Sequence, residues 1–316
     1  MPTTAKSAIE RRDEDVVPVC LFAYARPEHL RRTLACLQRD AVSLIYAFSD
    51  GPRTPGEAGA VVEVRQILRA VDWCQVVLEE RTENWGLGRS ILAGVTEALG
   101  RHRMVVVFED DLVCVPGTYP YLVAGLHRYR GHPAVMSVTG WTHPRVAPGD
   151  VGGQPYFDGR AECWSWGTWA RVWEGMDRDA LTLMQECRRR GIDVYRYGAD
   201  LPEMAEMERG RNLWAARWSY LHLLRGGLCL RPPHTLVEHA GFDPLATNAA
   251  GGSRWANPPM RACPPLPETW PVPVEHPQCA RLWQAVCGHR PGVSTRLLGR
   301  GMRWLRRSLS PRSARA

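Results

Sequence analysis

The first 130 residues of this 316-residue chain alternate between short apolar runs and longer stretches in which apolar and polar residues mix. The apolar runs are too short and too β-branched for helices, so they predict buried strands at residues 16–23, 44–48, 75–78 and 104–109. The stretches between them predict helices at residues 27–37, 56–71, 89–99 and 119–129. This alternation predicts an α/β fold in which helices flank a mostly parallel central sheet.

The pattern changes after about residue 134, where the regular alternation is lost. Helices are predicted near residues 179–189 and 213–225, and a short strand at 227–230 precedes a segment at 235–242. Residues 258–277 contain eight prolines and are predicted to run extended along the surface. The resulting segments are an N-terminal extension (1–15), a main domain (16–250, with halves 16–133 and 134–250), a proline-rich segment (251–287) and a basic tail (288–316).

The most informative segment is residues 104–111, an apolar run that ends in Glu109, Asp110 and Asp111. Three carboxylates at the carboxyl end of a buried strand are costly unless a cation or a ligand shares their charge. Ligands of open α/β sheets bind at that edge. Carboxylate oxygens suit Mg²⁺ or Mn²⁺, which take their remaining ligands from water and substrate phosphates. The segment therefore predicts a metal and diphosphate site, with a solvated acidic turn as the alternative.

Other charged residues are predicted at the same edge of the sheet. Arg26 precedes a helix whose N-terminus favours anions, and Asp50 ends a strand where carboxylates commonly bind a ribose or base. Arg89 begins the helix after Gly86 and Gly88, which permit close approach of a ligand to the backbone. The plainer interpretations are surface arginines and a tight turn. The glycines lack the spacing of a dinucleotide-binding or Walker A loop, so we exclude both.

Composition and cysteine usage narrow the class of protein. The hydrophobic fraction of 45% is ordinary for a soluble domain, and no apolar run is long enough to predict a membrane-spanning helix. The first 15 residues lack the apolar core of a secretory signal. The ten cysteines include no CxxC pair and are interpreted as buried free thiols in a reducing compartment. A cytoplasmic location is therefore expected.

The positive charge of the chain is localised at its end. Residues 288–316 contain eight arginines and no acidic residue, whereas the whole chain has a formal charge of +7, so the remainder is nearly neutral. A nearly neutral body does not indicate a nucleic-acid-binding protein. Apolar residues interleave with the arginines, which favours an amphipathic helix at an anionic membrane surface. A solvated tail without regular structure is the alternative.

Tryptophan is unusually frequent. The chain has 13 tryptophans against five phenylalanines, and Trp164, Trp166, Trp169 and Trp173 lie within ten residues. Tryptophans usually pack in cores, but indole faces also stack on the apolar faces of sugar rings. The cluster is expected to divide between both roles, which favours a carbohydrate-related function.

The blocks of this chain, taken in order, resemble the GT-A glycosyltransferases, above all bacterial proteins related to N-acetylglucosaminyltransferase I and glycosyltransferase family 2. The likeness spans residues 16–250, and the order of the blocks is more specific than any single block. The blocks are Ala25-Arg26-Pro27, Phe48-Ser49-Asp50-Gly51, Asn84-Trp85-Gly86, Val107-Phe108-Glu109-Asp110-Asp111-Leu112, Gly159-Arg160 followed by Trp164–Trp169, Asn212–Trp218 and Leu236–Asp243.

The resemblance implies a Rossmann-like GT-A fold and a division of labour between the two halves. Residues 16–133 would bind the nucleotide sugar and residues 134–250 the acceptor. Asp111 would hold Mn²⁺ or Mg²⁺, and Asp110 would bind the ribose or support the ion. The nucleotide pocket would also contain Arg26, Asp50, Arg89 and Glu109. The acceptor side would contain Arg160, Trp164, Trp166 and Trp214.

Two departures from the family pattern bear on the chemistry. Many relatives end the last block with a Gly-Thr-His-like sequence, whereas this chain has Thr247 and Asn248, so a histidine expected near the diphosphate is missing. Ala215 and Ala216 stand where N-acetylglucosaminyltransferase I has an acidic residue as the base. Glu162 and Asp243 are the candidate bases.

The implied function is metal-dependent transfer of a hexosyl or N-acetylhexosaminyl group from a nucleotide-diphosphate sugar, with UDP as the expected nucleotide, to a saccharide or glycan acceptor. Inversion at the anomeric carbon and a role in surface polysaccharide or glycoconjugate assembly follow from the resemblance. The alternatives are a non-catalytic sugar-binding protein that retains the fold and a sugar nucleotidyltransferase. The sequence does not indicate an oligomeric state.

Overall fold

The computed structural model describes residues 16–211, 213–242 and 260–289. Within these residues ten strands form two sheets. The strands are β1 (Val19–Ala23), β2 (Leu44–Ser49), β3 (Gln75–Glu80), β4 (Met104–Glu109), β5 (Leu112–Cys114), β6 (Val135–Thr139), β7 (Tyr156–Asp158), β8 (Trp166–Trp169), β9 (Leu228–Arg231) and β10 (Val237–His239). The larger sheet has the order β3-β2-β1-β4-β8-β6-β9-β7, and β5 pairs with β10 in the smaller one.

The helices lie between these strands and after them. They are α1 (Pro27–Arg39), α2 (Ala58–Arg69), α3 (Leu87–Leu99), α4 (Thr118–Tyr129), α5 (Ala170–Trp173), α6 (Ala180–Arg189), α7 (Asp200–Arg211), α8 (Trp214–Arg225) and α9 (Cys279–Cys287). Short 3₁₀ turns occur at Pro55–Glu57 and Ala240–Phe242. No helix in the described part of the chain has the length and apolar character needed to span a membrane.

The first four strands pair in parallel, as the alternating pattern predicts. The register places Ala23 beside Ser49 and Phe22 beside Glu109, so the carboxyl ends of β1, β2 and β4 meet at one edge. The antiparallel strand β8 then lies between β4 and β6, and the rest of the sheet is mixed. The α/β fold class with a central sheet flanked by helices is confirmed.

The packing of the core explains why the strands are continuous apolar runs in the sequence. Every residue of β1 and β4 is buried, because helices cover both faces of this part of the sheet. Helix α1 contributes Leu30 and Leu37, and helix α3 contributes Ile91 and Val95. The tight packing also demands glycine at Gly167, where a Cβ atom would lie 2.8 Å from Leu126 of helix α4.

Several elements were not predicted from the sequence. Strands β6, β7 and β8 are too short to show alternation. In helix α7 the apolar residues extend from the buried Leu201 and Ala205 to Met207 at the surface, so the helix shows no clear apolar face in the sequence. Residues 260–278 contain no helix or strand, in agreement with the extended proline-rich prediction, but helix α9 begins two residues after Pro277. The N-terminal extension and nearly all of the basic tail lie outside the described residues.

Candidate functional site

A cleft of about 700 Å³ opens at the edge where the parallel strands end. One side carries the residues that follow β1, β2 and β4, and the other side is formed by residues 160–164, helix α7 and the start of helix α8. The predicted site residues that line it are Arg26, Asp50, Glu109, Asp110, Asp111, Arg160, Glu162, Trp164 and Trp214. The fold thus brings most of the predicted donor-side and acceptor-side residues to one cavity.

Arg26 links the two aspartates of the acidic cluster. Its Nη2 atom lies 2.7 Å from Oδ1 of Asp110, and its Nη1 atom lies 2.7 Å from Oδ2 of Asp111. The second oxygen of Asp110 accepts a hydrogen bond of 2.7 Å from the backbone N–H of Tyr24. Both aspartates are buried. The guanidinium therefore supplies part of the positive charge that the buried carboxylates require, and a bound cation would add to it.

One guanidinium does not balance three carboxyl groups in a buried place. Burial raises the pKa of Asp110 to about 7, although Arg26 acts in the opposite direction. Burial and the neighbouring Asp111 raise the pKa of Glu109 well above its ordinary value. A further cation at this place would reduce the repulsion between the buried carboxylates.

The residues present fit a hard divalent ion that keeps few protein ligands. Oδ1 of Asp111 is buried and has no hydrogen-bond partner among the described residues. The described residues contain no group of three or more His, Cys, Asp or Glu side chains arranged around one ion position. Mg²⁺ and Mn²⁺ sites on nucleotides need only one or two carboxylates, since waters and phosphates complete them. Asp111 is the residue that would hold such an ion.

His239 is a site residue that the sequence analysis did not assign. Its Nε2 atom lies 3.7 Å from Oδ2 of Asp111, because β10 pairs with β5 and places His239 opposite Leu112. Burial lowers the pKa of His239, so the ring is neutral near pH 7. The loss of the histidine that many relatives carry at the end of the last block stays a prediction, because Thr247 and Asn248 lie outside the described residues. His239 gives the site a histidine from a different position.

The backbone of Gly241 lies directly against the side chains of Asp111, Arg26 and His239. A Cβ atom at this position would lie 2.3 Å from Oδ2 of Asp111 and 2.8 Å from Nη1 of Arg26. No side chain fits there without moving the ion pair. The glycine is therefore required by the close approach of the backbone to the acidic cluster.

Asp50 fixes the glycine-rich loop before helix α3. Its two carboxylate oxygens accept hydrogen bonds from the backbone N–H groups of Trp85 (2.9 Å) and Gly86 (2.8 Å), and Gly86 has a positive φ of 74°. Arg89 is exposed and stacks on Trp85 at 4.1 Å. Arg89 is absent from the cleft lining, so the structure does not bring it to the predicted nucleotide site.

Residues 134–242 contribute two buried ion pairs to the cleft wall. Arg160 forms a bidentate ion pair with Asp200, in which Nη1 lies 3.0 Å from Oδ1 and Nη2 lies 2.8 Å from Oδ2. Glu162 accepts a hydrogen bond of 2.9 Å from the N–H of Cys163, and its second oxygen lies 3.4 Å from Nη1 of Arg231. Burial raises the pKa of Glu162, whereas Arg231 acts against this rise. Both predicted residues thus line the cleft in fixed orientations.

The predicted tryptophans divide between cleft and core. Trp164 is half-buried in the cleft wall, where its ring lies 4.8 Å from that of His239. Trp214 lines the cleft and stacks on Trp166 at 5.4 Å. Trp166 itself has no exposed surface and also stacks on Trp173 at 5.8 Å, so it does not reach the acceptor side. The prediction of an acceptor contact is corrected for Trp166, which packs in the core.

Other residues that line the cleft could not be identified from the sequence. Tyr24 lies two residues before Arg26 and donates a hydrogen bond of 2.7 Å from its hydroxyl to Glu57. Met204 and Met207 come from helix α7, which was not predicted. The candidate base Asp243 lies outside the described residues.

Comparison with known proteins gives only a remote likeness. No family model matches this chain, and no curated protein sequence matches it. Among solved structures, the chain is similar to a mannosyltransferase from Pyrobaculum calidifontis in complex with GDP-Man and Mn²⁺. The match has 14% identity, covers 66% of this chain and 70% of that chain, and has a TM-score of 0.38. This likeness is too remote to indicate a function for the chain.

Proposed function

We propose that this protein is a glycosyltransferase that moves a hexosyl or N-acetylhexosaminyl group from a nucleotide-diphosphate sugar, with UDP as the expected nucleotide, to a saccharide or glycan acceptor. The observation that carries this proposal is the place of Asp111. Its buried Oδ1 atom, which has no hydrogen-bond partner within residues 16–211, 213–242 and 260–289, lies in a cleft that the indole rings of Trp164 and Trp214 also line. The resemblance of residues 16–250 to GT-A glycosyltransferases agrees with this arrangement.

On the donor side, the residues at the acidic edge have different roles. Asp111 holds Mn²⁺ or Mg²⁺, and the bound ion supplies electrostatic stabilisation of the negative charge that grows on the diphosphate leaving group. Asp110 binds the ribose or supports the ion, and its contact with Arg26 holds that guanidinium at the cleft. Asp50 orients the loop at Trp85 and Gly86 along the nucleotide.

On the acceptor side, Glu162 is the candidate base among the described residues. It takes the proton of the acceptor hydroxyl while that oxygen bonds to the anomeric carbon and the bond from this carbon to the diphosphate breaks. Arg231 favours the ionised form that a base needs, since it lies 3.4 Å from the carboxylate. Asp243 is the second candidate. The family resemblance favours inversion at the anomeric carbon.

The cellular setting of this reaction is proposed from the sequence. Surface polysaccharide or glycoconjugate assembly in the cytoplasm suits a nucleotide-sugar donor. The basic tail of residues 288–316 would hold the enzyme at the inner face of the membrane through anionic lipids.

A thermal-shift panel of UDP-, GDP-, CDP- and dTDP-sugars, each with and without Mn²⁺, tests the proposal. A donor at about 100 times its dissociation constant stabilises the folded state by roughly 2.7 kcal/mol, which raises the melting temperature of a chain of this length by about 4 °C. Asp111→Asn should abolish the part of this shift that depends on Mn²⁺. The matched control is Asp72→Asn at an exposed position outside the cleft, which should keep the full shift.

Product analysis separates this function from its alternatives. Release of the nucleoside diphosphate with transfer of the sugar supports the glycosyltransferase. Release of pyrophosphate from a nucleoside triphosphate would indicate a sugar nucleotidyltransferase. Saccharide binding without any turnover of a nucleotide sugar in the presence of Mn²⁺ would indicate a non-catalytic binding protein.

A further inference from the structure

Helix α7 carries an apolar surface that extends beyond the part buried in the core. Leu201 and Ala205 are buried in the core, as is Glu208, which pairs with Arg217. Met204 adjoins these positions on the helical repeat and packs partly against the core, Met207 lies one step further round at the surface, and both line the cleft. A surface helix of a globular protein normally carries polar residues at its exposed positions. Core packing therefore does not explain the exposed Met207 in the cleft wall.

The two methionines continue into a larger apolar surface. We call Met204, Met207, Leu213 and Trp214 the methionine wall; all four line the cleft. Exposure increases along it, from Trp214 at 4% through the half-buried Met204 to Met207 at 38%. The wall thus leads from the inside of the cleft to the protein surface.

The chemistry of the wall is poorly suited to a free saccharide. Sugar hydroxyl groups need hydrogen-bond partners, because polar groups left unpaired on desolvation are costly. The charged side chains that helix α7 brings to the cleft are Glu203, which is exposed, and Asp200, whose carboxylate is already held by Arg160. Methionine side chains are flexible and polarisable, and they adapt to apolar ligands of irregular shape.

We propose that the acceptor is a saccharide joined to a long apolar chain, and that this chain lies on the methionine wall. This inference rests on the proposed glycosyltransferase function, since the opposite edge with Asp110 and Asp111 is then taken by the donor diphosphate. The sugar hydroxyl enters between Glu162 and Trp164, and the chain leaves the cleft past Met207. The acceptor is therefore a glycolipid presented at a membrane surface.

The sequence provides an independent reason for a lipid-bearing acceptor. The tail of residues 288–316 carries eight arginines and no acid, with leucines and a tryptophan among them. Such a segment favours binding at anionic membrane surfaces. An enzyme held at a membrane meets glycolipids there at high local concentration, and its cleft would need a path for the lipid chain.

Methionine-methyl NMR of the full-length protein tests the inference without relying on turnover. The protein is labelled with [¹³C-methyl]methionine and titrated with glucose and with hexyl, octyl and decyl glucoside below their micelle concentrations. The signals of Met204 and Met207, assigned by Met204→Gln and Met207→Gln, should shift with the alkyl glucosides and not with glucose. The dissociation constant should fall by up to about fifteenfold from hexyl to octyl glucoside, as two further CH₂ groups are buried. The buried Met184 should not respond.

The double variant M204Q/M207Q should lose this chain-length dependence, whereas Val62→Gln, an exposed apolar residue on helix α2, should keep it. Equal affinity for glucose and octyl glucoside, or methyl signals that stay still at all chain lengths, would overturn the inference. That result would leave another occupant for the wall, such as a peptide or a segment of this chain. Donor binding is measured separately by thermal shift, so loss of the donor response alone refutes the proposed function and not the apolar site.

Discussion

Nε2 of His239 lies 3.7 Å from Oδ2 of Asp111, although the two residues belong to distant parts of the sequence. The contact exists because β10 adds to β5 in a two-stranded sheet directly after the acidic cluster. A neutral imidazole lies beside a carboxylate whose Oδ1 atom has no hydrogen-bond partner in the part of the chain that the structure describes, and this arrangement suits a divalent ion. His239 therefore belongs to the candidate site together with the acidic cluster.

Arg26→Met should destabilise the protein. The substitution leaves Asp110 and Asp111 buried without their shared counter-charge, and breaking such a pair costs about 3 kcal/mol. Urea denaturation followed by fluorescence measures this loss. Mn²⁺ should restore more stability to the variant than to the wild type, because the ion replaces the missing positive charge.

The control for this experiment is Arg31→Met. Arg31 forms ion pairs with Glu28 and Glu63 at the surface, and pairs of this kind contribute less than about 1 kcal/mol. An Arg26→Met protein as stable as this control, with no extra response to Mn²⁺, would show that the guanidinium does not neutralise the cluster.

Gly241→Ala should impair donor binding while the chain still folds. The added methyl group would lie 2.3 Å from Oδ2 of Asp111, so the carboxylate must move away from its position at the cleft. Isothermal titration with a nucleotide sugar and Mn²⁺ should show at least tenfold weaker binding, a change of about 1.4 kcal/mol. Gly59→Ala is the control, since a Cβ atom there meets nothing within 4 Å. Unchanged affinity in Gly241→Ala would remove Asp111 from the binding site.

His222 should make the stability depend on pH in the acid range. Burial lowers the pKa of His222 to about 3, whereas an exposed histidine in the unfolded chain titrates near 6.5. Between these values only the unfolded chain takes up the proton, so stability falls as the pH is lowered from about 6.5. The expected slope from this group is about 1.4 kcal/mol per pH unit.

His222→Gln tests that assignment. The variant loses a ring that lies 2.9 Å from the hydroxyl oxygen of Ser137, so it should be less stable than the wild type at pH 7. The difference should narrow as the pH falls from 6.5 to 4.5 in urea denaturation. Parallel stability profiles for the two proteins would contradict a buried neutral histidine.

The corrected role of Trp166 can be separated from that of Trp164. Trp166→Phe should lower the melting temperature, because it leaves a cavity among Trp173, Trp214 and Trp218, but it should leave the affinity for acceptor nearly unchanged. Trp164→Phe should raise the acceptor KM, with a smaller effect on melting. Calorimetry and acceptor kinetics on both variants check this contrast, and a reversed pattern would return Trp166 to the acceptor site.

The first half of the domain could be predicted closely because its signals are local. Runs such as β1 and β4 are buried on both faces; β4 ends in Glu109, and Arg26 follows three residues after the end of β1. Arg26, Asp50 and the acidic cluster could be placed at one edge of the sheet because each follows or ends a predicted parallel strand, and parallel strands align their carboxyl ends.

The second half of the domain could not be predicted in the same way, since its structure depends on contacts between distant segments. Strand β8 is four residues long and is defined by pairing with β4 and β6, which no periodicity records. The position of His239 depends on β5 in the same manner. The sequence also cannot tell a tryptophan of the core from one of the cleft, as Trp166 and Trp164 illustrate.

The pairing of β5 with β10 has a consequence for how the protein is made. During synthesis all three acids leave the ribosome long before the strand that completes their surroundings, so the nascent first half of the domain carries its charges without His239 or Gly241. A fragment that stops at residue 133 would therefore contain the acidic cluster but no partner for β5. The candidate site becomes complete only when β10 pairs with β5.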